Sequence, residues 1–191
     1  MDQILIKKKQ GGVVEVLKDA ILSGIIPANT EVTQNDLAQS LGVSRMPVRE
    51  ALILLEYQGL VKRLPNNRIL VAELSKEYLH KMFQLCIHVE MEALQRHIPP
   101  AAAMVPELEF HRSLYREYPY GFQKKIMETL TEIYIRFALS CRSYDTAEGE
   151  GCIYKIKEAV SKGEVPRASE IYDFYFDKMT SAIMEERIHQ K

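Results

Sequence analysis

The segment spanning residues 37–60 constrains this chain most, because it combines two helix-forming stretches with one tight turn. Gly42 permits the positive φ of a sharp helix exit. Ser44 follows as the N-cap of the next helix, and Pro47 falls in the first turn of that helix, where a missing N–H loses no partner. The segment therefore predicts two short helices joined by a turn.

The first of these helices has a start signal of its own. Thr33 is an N-cap residue, and Asp36 stands three residues later, where its carboxylate can accept the N–H of the cap. Leu37, Ala38 and Leu41 then give the helix one apolar side. We expect this helix to begin after the threonine and to end at the glycine turn.

The second helix carries two arginines on one face. Arg45 and Arg49 are four residues apart, which is about 6 Å along a helix axis, and the N-terminal end of a helix carries the positive end of the peptide dipole. Both features favour phosphate and guanine acceptors, although an arginine pair on a helix is also typical of a solvated face. We interpret the helix as a DNA recognition helix, whose core side is formed by Val48, Ala51, Leu52 and Leu55.

Two short β-prone runs follow, at residues 61–64 and 68–72, with a polar turn between them. This pattern predicts a β-hairpin, the wing of a winged helix-turn-helix domain. Upstream, residues 10–23 form an amphipathic helix that ends at the turn signals Gly24 and Pro27. This helix supplies the third helix of the winged core.

The stretch IPANTEVTQNDLAQSLGVSRMPVREALILLEYQGLV resembles the N-terminal domain of the GntR family of bacterial transcription regulators. The resemblance implies that double-stranded operator DNA is bound by residues around the start of the recognition helix. These residues are Ser44, Arg45, Met46, Pro47 and Arg49.

Two positions depart from the family pattern. Asn35 stands where an arginine is common early in the preceding helix, and Arg68 stands where the wing usually has a tip glycine. We place Thr33, Asn35, Asn67 and Arg68 on the expected DNA-facing surface, although the wing-tip pair is also consistent with a simple exposed turn.

The charge of the chain gives DNA binding only weak support. Residues 1–72 contain nine Lys and Arg against seven Asp and Glu, whereas the remainder contains sixteen against nineteen. A domain this weakly basic depends on a few placed contacts and on their doubling in a homodimer. Lys7, Lys8 and Lys9 are either an additional phosphate-binding arm or a frayed, solvated terminus.

The length of 191 residues suits two domains, which we place at residues 1–73 and 74–191. No stretch resembles a signal peptide or is apolar for long enough to span a membrane, so we expect a cytoplasmic protein. Cys86, Cys141 and Cys152 lack CxxC spacing, and we expect reduced, mostly buried thiols.

Beyond residue 72 the pattern is helical. Ser75 is the expected N-cap of a long helix that Pro99 and Pro100 stop. The expected fold is therefore mainly α, with a winged helix-turn-helix followed by an antiparallel α-helical bundle. The further predicted helices cover residues 106–118, 122–141, 153–161 and 166–188.

This bundle resembles the FCD domain of the FadR-like branch of the same family, a module that senses an effector and dimerises. The resemblance rests on CIHVE at residues 86–90, ELEFH at residues 107–111 and the helix end at residues 156–164. The stretch between Pro99 and Glu107 is short by family standards, which indicates a shortened, degenerate effector domain.

Glu107 and His111 are four residues apart, which places a carboxylate and an imidazole on one face of a helix. The resemblance implies that two histidines from the last two helices complete such a pair as a metal site. Ile153 and Tyr175 stand at those positions here, so we expect no bound metal or other cofactor. The alternative role for His111 is that of a hydrogen-bonded core residue.

An effector site without a metal needs other polar anchors. Tyrosines at helical spacing are more often core or interface residues, so a purely structural role is the alternative for each candidate tyrosine. The expected ligand has an apolar body and one acidic group. The candidate effector-binding residues are Glu107, His111, Tyr115, Tyr134, Arg136 and Tyr175.

Three function classes compete for this sequence. A ligand-responsive DNA-binding protein explains both halves of the chain, whereas an enzyme would explain only Glu107 and His111 and has no nucleophile with a placed base. We therefore expect a sequence-specific transcriptional regulator without enzyme activity, a repressor released by a small metabolite. The alternative is a DNA-binding dimer whose C-terminal bundle only dimerises and no longer senses a ligand.

Overall fold

The structure is a computed structural model that describes residues 12–96, 106–116 and 118–189. The described residues divide into two compact units: residues 12–75 with 186–189, and residues 76–185. The predicted N-terminal lysine arm and the paired prolines at residues 99 and 100 lie outside the described residues. Among the described helices, none is long and apolar enough to cross a lipid bilayer.

The first unit contains three helices that form the predicted helix-turn-helix core: α1 (Val13–Leu22), α2 (Gln34–Leu41) and α3 (Arg45–Tyr57). Both α1 and α2 pack on α3. The apolar side predicted for α3 is confirmed, since Val48, Ala51, Leu52 and Leu55 are all buried.

The turn between α2 and α3 follows the sequence signals. The side chain of Thr33 accepts the backbone N–H of Asp36, and the Asp36 carboxylate accepts the backbone N–H of Thr33. Gly42 ends α2 with a φ of 64°, a left-handed conformation that glycine adopts without steric cost. The predicted capping box and glycine exit are therefore confirmed.

The wing is a three-stranded antiparallel sheet, with strands β1 (Glu31–Val32), β2 (Val61–Arg63) and β3 (Ile69–Val71) in the order β1-β3-β2. The predicted hairpin is the β2–β3 pair, in which Val61 lies opposite Val71. Strand β1 was not predicted. It is two residues long, and its pairing with β3 is a contact between distant parts of the chain that no local pattern reports.

The end of the last helix contributes to the same unit. Arg187 donates from Nη1 to the backbone carbonyl oxygens of Ile21 (3.0 Å) and Leu22 (2.9 Å), at the C-terminal end of α1. The terminal carbonyls of a helix lack intrahelical partners, and a guanidinium there also complements the negative end of the helix dipole. Arg187 therefore stabilises the end of α1.

The second unit is helical throughout its described regular elements. They are α4 (Lys76–Arg96), α5 (Glu107–Arg116), α6 (Gly121–Leu130), a π-helical turn (Thr131–Ile135), α7 (Arg136–Ser140), α8 (Thr146–Ser161) and α9 (Val165–His189), of which residues 186–189 belong to the first unit. The predicted helix over residues 122–141 is thus one helical stretch with a π-helical turn in its middle. The three cysteines are buried thiols that form no disulfide with one another, as predicted.

The predicted start of the fourth bundle helix was wrong. We expected a helix from residue 153, but α8 begins at Thr146, where the Asp145 carboxylate accepts the N–H groups of Ala147 and Glu148. The glycines at positions 149 and 151 make this stretch look like a loop, because a glycine inside a helix costs about 1 kcal/mol relative to alanine.

Helices α4 and α9 pack against each other in opposite directions. Phe83 and Phe176 stack with their ring centroids 4.6 Å apart, and Gln84 donates to Asp173 at 2.6 Å. The residue number falls along α4 as it rises along α9, which defines an antiparallel pair. The inward faces of α4, α5 and α9 surround a buried polar network.

Candidate functional site

The N-terminal end of α3 is open to solvent. Ser44 is exposed and stands at the N-cap position, as predicted, but its side chain makes no capping hydrogen bond. The first turn of α3 contains no acidic residue. The positive end of the helix dipole is therefore not compensated within the helix, and the Ser44 hydroxyl is available to an anionic partner.

The two arginines predicted to bind DNA lie on this exposed end. Arg45 and Arg49 are both exposed, Met46 is 63% exposed, and Pro47 is partly covered. Since Arg45 and Arg49 are one helical turn apart, their guanidinium groups can reach neighbouring acceptors along one groove. The structure thus brings these four residues together with Ser44 on one surface.

The candidates on α2 differ in what they can contribute. The Thr33 hydroxyl is used inside the protein, because it accepts the backbone N–H of Asp36 at 3.1 Å. Asn35 lies in the first turn of α2 and is exposed. Asn35 therefore has a side chain free to meet a phosphate, whereas Thr33 mainly fixes the start of α2.

The wing tip presents Asn67 and Arg68, which are both exposed. Asn67 takes the left-handed conformation of the turn, with a φ of 61°, and the Asn66 side chain accepts the backbone N–H of Arg68 at 3.0 Å. The Arg68 guanidinium lies 3.7 Å from the Glu31 carboxylate in an exposed pair. Such a pair is weak and can be exchanged for a phosphate contact.

The second unit contains a buried polar network centred on His111. Its Nδ1 lies 2.7 Å from Glu90 Oε1 on α4, and its Nε2 lies 2.8 Å from the Tyr175 hydroxyl on α9. All three side chains are buried. His111 is therefore a hydrogen-bonded core residue that joins α5 to α4 and α9.

Glu107 extends the network towards α8. Its Oε2 accepts the hydroxyls of Tyr144 (2.6 Å) and Tyr175 (2.9 Å), whereas its Oε1 has no hydrogen-bond partner among the described residues. Burial raises the pKa of the Glu107 carboxyl above its ordinary value of 4.5, against the opposing effect of the two tyrosine hydroxyls. Burial also raises the pKa of Tyr144, which stays protonated and donates.

Proton positions in this network are linked, because the Tyr175 hydroxyl has only one proton. If Tyr175 donates to Glu107, His111 Nε2–H must donate to the Tyr175 oxygen. The Tyr175 hydroxyl donates to Glu107 Oε2, so its oxygen accepts the Nε2–H of His111.

The residues present do not fit the metal site that the FCD resemblance implies. Both ring nitrogens of His111 already have partners, and the Tyr175 hydroxyl lies between His111 and Glu107. Ile153, which stands where the resemblance implies a histidine ligand, is a buried apolar side chain. Across residues 12–96, 106–116 and 118–189, no group of three or more His, Cys, Asp or Glu side chains is placed to hold a metal ion.

Three of the predicted effector residues lie elsewhere in the second unit. The Tyr115 hydroxyl donates to Glu132 at 3.2 Å, and Arg136 lies 3.8 Å from the same carboxylate. Tyr134 is buried and shares a 3.1 Å hydrogen bond with the Tyr78 hydroxyl. The structure therefore brings together Glu107, His111 and Tyr175, but places the other three candidates in two separate clusters.

A cavity of about 360 Å³ lies between the start of α8 and α9. This α8–α9 cavity has a buried floor, formed by Gly149, Cys152, Tyr175 and Ala182, and a rim that includes exposed charged residues. Its size is within the range of small-molecule sites. Because Tyr144 and Tyr175 line it and also bind Glu107, the cavity adjoins the polar network.

Sequence reasoning overlooked two members of this network. Glu90 stands on the inward stripe of α4, four residues after Cys86, and a carboxylate at such a position indicates a buried partner. Tyr144 lies in the segment before α8, where no periodic pattern could have identified it.

Comparison with known proteins identifies the N-terminal unit. Residues 9–71 match the family of bacterial regulatory proteins called the gntR family. A similar relative is an uncharacterised HTH-type transcriptional regulator of Agrobacterium vitis, encoded in the TAR-I ttuE-ttuC' intergenic region. It is 31% identical over 80 residues, which is 42% of this chain and 47% of the relative. The regulator YdhC of Bacillus subtilis is 33% identical over 79 residues, 41% of this chain and 35% of YdhC.

The match to these curated relatives covers less than half of their length, whereas similarity of fold extends further. The solved structure of Lar, described as controlling expression of the Listeria monocytogenes agr system, superposes with a TM-score of 0.60 at 18% identity. The superposition covers 94% of this chain and 99% of that protein. At this identity the likeness concerns the fold alone. Residues 9–71 are therefore similar to the gntR family of bacterial regulatory proteins, and the described part of this segment folds as a winged helix-turn-helix.

Proposed function

We propose that the chain is a sequence-specific repressor that leaves its operator when a small metabolite binds the C-terminal helical domain. In this proposal residues 1–73 bind DNA, and residues 74–191 sense the effector and dimerise. The observation that carries the proposal is the open end of α3, where Ser44, Arg45 and Arg49 are exposed and no acidic residue compensates the helix dipole.

Within this proposal, the DNA-facing surface has a centre and a periphery. The centre is the start of α3, where arginine can pair with the O6 and N7 acceptors of guanine and the helix end can hold a phosphate. The periphery consists of Asn35 on α2 and the wing tip, which reach the sugar-phosphate backbone or the minor groove of the DNA. The proposed contact residues are Thr33, Asn35, Ser44, Arg45, Met46, Pro47, Arg49, Asn67 and Arg68.

A homodimer completes the proposal. A single weakly basic winged domain offers few phosphate contacts, and a two-fold operator needs two recognition helices. The second unit exposes several large apolar side chains that a partner copy could cover. They are Leu85, Tyr120, Phe122, Tyr154 and Phe174.

Sensing is supported by the α8–α9 cavity next to Glu107 and Tyr175. A ligand there alters DNA affinity only if it binds the DNA-free state more tightly than the DNA-bound state. The alternative, a bundle that only dimerises, is favoured by one specific observation: both nitrogens of His111 are satisfied inside the protein. Under that alternative the network is purely structural.

The experiment is a selection of genomic fragments on the full chain, followed by affinity measurements with and without metabolites. The proposal expects one or a few fragments to be retained in preference to bulk DNA, and at least one metabolite to weaken that binding. Retention of all fragments with equal affinity contradicts sequence-specific binding. A retained fragment whose affinity no metabolite changes supports the dimerisation-only alternative.

A further inference from the structure

The α8–α9 cavity carries an excess of acidic side chains on its rim. Asp145, Glu148 and Glu185 line it, against a single ammonium group, that of Lys178. Lys178 already pairs with Glu148 at 2.9 Å. Glu185 is exposed and forms no ion pair within the part of the chain that the structure describes, so the rim attracts positive charge.

The positive end of α8 does not reverse this preference. Asp145 is the N-cap of α8, and its Oδ1 accepts the N–H groups of Ala147 (3.0 Å) and Glu148 (3.2 Å). A carboxylate of the protein therefore already occupies the anion-binding end of the helix. An anionic ligand entering the cavity would have to displace it.

The floor of the cavity points to the same ligand charge. Tyr144 and Tyr175 both line the cavity and both donate their hydroxyl protons to Glu107 Oε2. Their protons are committed, so a ligand meets oxygen lone pairs, which accept hydrogen bonds and repel a carboxylate. An N–H donor fits this floor better than an acceptor.

Glu107 adds a buried charge directly behind the floor. A Cβ at Gly149 would overlap the Tyr144 hydroxyl and both carboxylate oxygens of Glu107, so the Glu107 carboxylate packs directly against this glycine, which lines the cavity. Glu107 is 3% exposed, and its Oε1 has no partner among the described residues. A buried carboxylate with an unused oxygen is stabilised by a cation brought close to it.

The chemistry of the cation is restricted by the geometry of the acidic groups. Among the described residues, the carboxylates of the rim are not grouped so that they could hold a metal ion. The floor between the polar ends contains Cys152, Ala182 and the ring of Tyr175, which suit methylene groups. An aliphatic chain with a positively charged nitrogen matches both features.

We infer that the α8–α9 cavity binds a small aliphatic amine, with an ammonium group held by the tyrosine oxygens and by the acidic rim. This inference replaces the acidic ligand expected from the sequence. Only the regulatory role of the amine rests on the proposed function, since an amine can bind this cavity without changing the affinity of the protein for DNA.

The test uses the full-length protein and three probes of equal chain length and different charge: 1,5-diaminopentane, 1,5-pentanediol and glutarate. Binding is measured by calorimetry at fixed ionic strength. The inference expects the diamine to bind more tightly than the diol, and glutarate more weakly than either. Absence of diamine binding, or tighter binding of glutarate or the diol, overturns it.

Matched variants locate the binding site. Glu185→Gln should weaken diamine binding about fivefold, the effect of one partly exposed charge contact. Glu170→Gln is the control, because this exposed carboxylate lies on the same helix and does not line the cavity. Tyr144→Phe, which removes an acceptor oxygen, should also weaken binding in a protein whose unfolding temperature is checked in parallel. Equal diamine affinity in Glu185→Gln and Glu170→Gln overturns the assignment to this cavity.

The DNA measurement separates this inference from the proposed function. If the diamine binds as expected and the affinity for the selected DNA fragment does not change, the ligand class stands and release by this ligand is refuted. If a different metabolite releases the DNA and the diamine does not bind, the repressor proposal stands and the amine inference fails.

Discussion

His111 Nδ1 lies 2.7 Å from Glu90 Oε1, with both side chains fully buried. A buried pair of this kind contributes little net stability compared with apolar residues of the same size, but removing one partner leaves an uncompensated polar group. A single substitution in this pair therefore lowers the free energy of unfolding more than a substitution in an exposed contact does.

His111→Ala should lower the free energy of unfolding by about 1–3 kcal/mol, because the buried Glu90 would lose its hydrogen-bond partner. Chemical denaturation of the purified variant measures this change. His80→Ala is the matched control, since His80 is exposed and lies 3.6 Å from the exposed Asp177, and the unfolding free energy of this variant should stay close to the wild-type value. Equal, small effects in both variants would show that the buried pair is not formed.

The pKa of Glu107, which burial raises above 4.5, gives a pH-dependent stability. A raised folded-state pKa of an acid stabilises the protein at low pH, and this contribution is lost as the pH rises through the raised pKa. Carboxylates with lowered pKa values, such as Glu132, act in the opposite direction, so the total profile hides the effect.

The measurable quantity is therefore the difference in unfolding free energy between the wild type and Glu107→Gln. We expect the wild type to lose stability relative to the variant as the pH rises from about the ordinary pKa of 4.5 into the neutral range. A difference that stays constant over this range contradicts the raised pKa. A difference that changes in the opposite direction also contradicts it.

Metal content is a separate prediction. Because the His111 nitrogens are occupied and Ile153 is apolar, the purified protein should carry well below one zinc, manganese or nickel ion per chain. A chelator should leave the unfolding temperature unchanged. Elemental analysis that finds stoichiometric metal, lost in His111→Ala, would contradict the observed hydrogen bonding.

The oligomeric state follows from the proposed operator symmetry. Sedimentation of the full chain at micromolar concentration should show a species of twice the 22.0 kDa chain mass. A strict monomer in solution would leave the exposed apolar side chains of the second unit without the proposed partner. It would also require a DNA-binding mode with a single recognition helix.

Local signals account for most of the first unit. The capping box of Thr33 and Asp36, the left-handed Gly42 and the position of Ser44 each depend on residues within four positions of one another, so the sequence predicts them directly. Strand β1 depends instead on pairing with β3, which is far along the chain, and the sequence contains no local sign of it.

The second unit shows the limits of such signals more clearly. Gly149 resembles a helix breaker, yet it lies inside α8. A glycine suits this position because a side chain there would overlap Glu107 and Tyr144. The i, i+4 spacing predicted that Glu107 and His111 share a helix face. It could not predict that Tyr175 would link them, since that contact joins two helices.

The most direct test measures the affinity of the full chain for the DNA fragment recovered by selection, for the wild type, Arg45→Ala and Arg49→Ala at one salt concentration. Each variant should lose about 1–3 kcal/mol of binding free energy without unfolding, because the proposed function assigns each guanidinium to a base edge or a phosphate. Arg167→Ala, which removes an exposed arginine of the second unit, should bind like the wild type. Unchanged affinity in both α3 variants would contradict the assignment of α3 as the recognition helix.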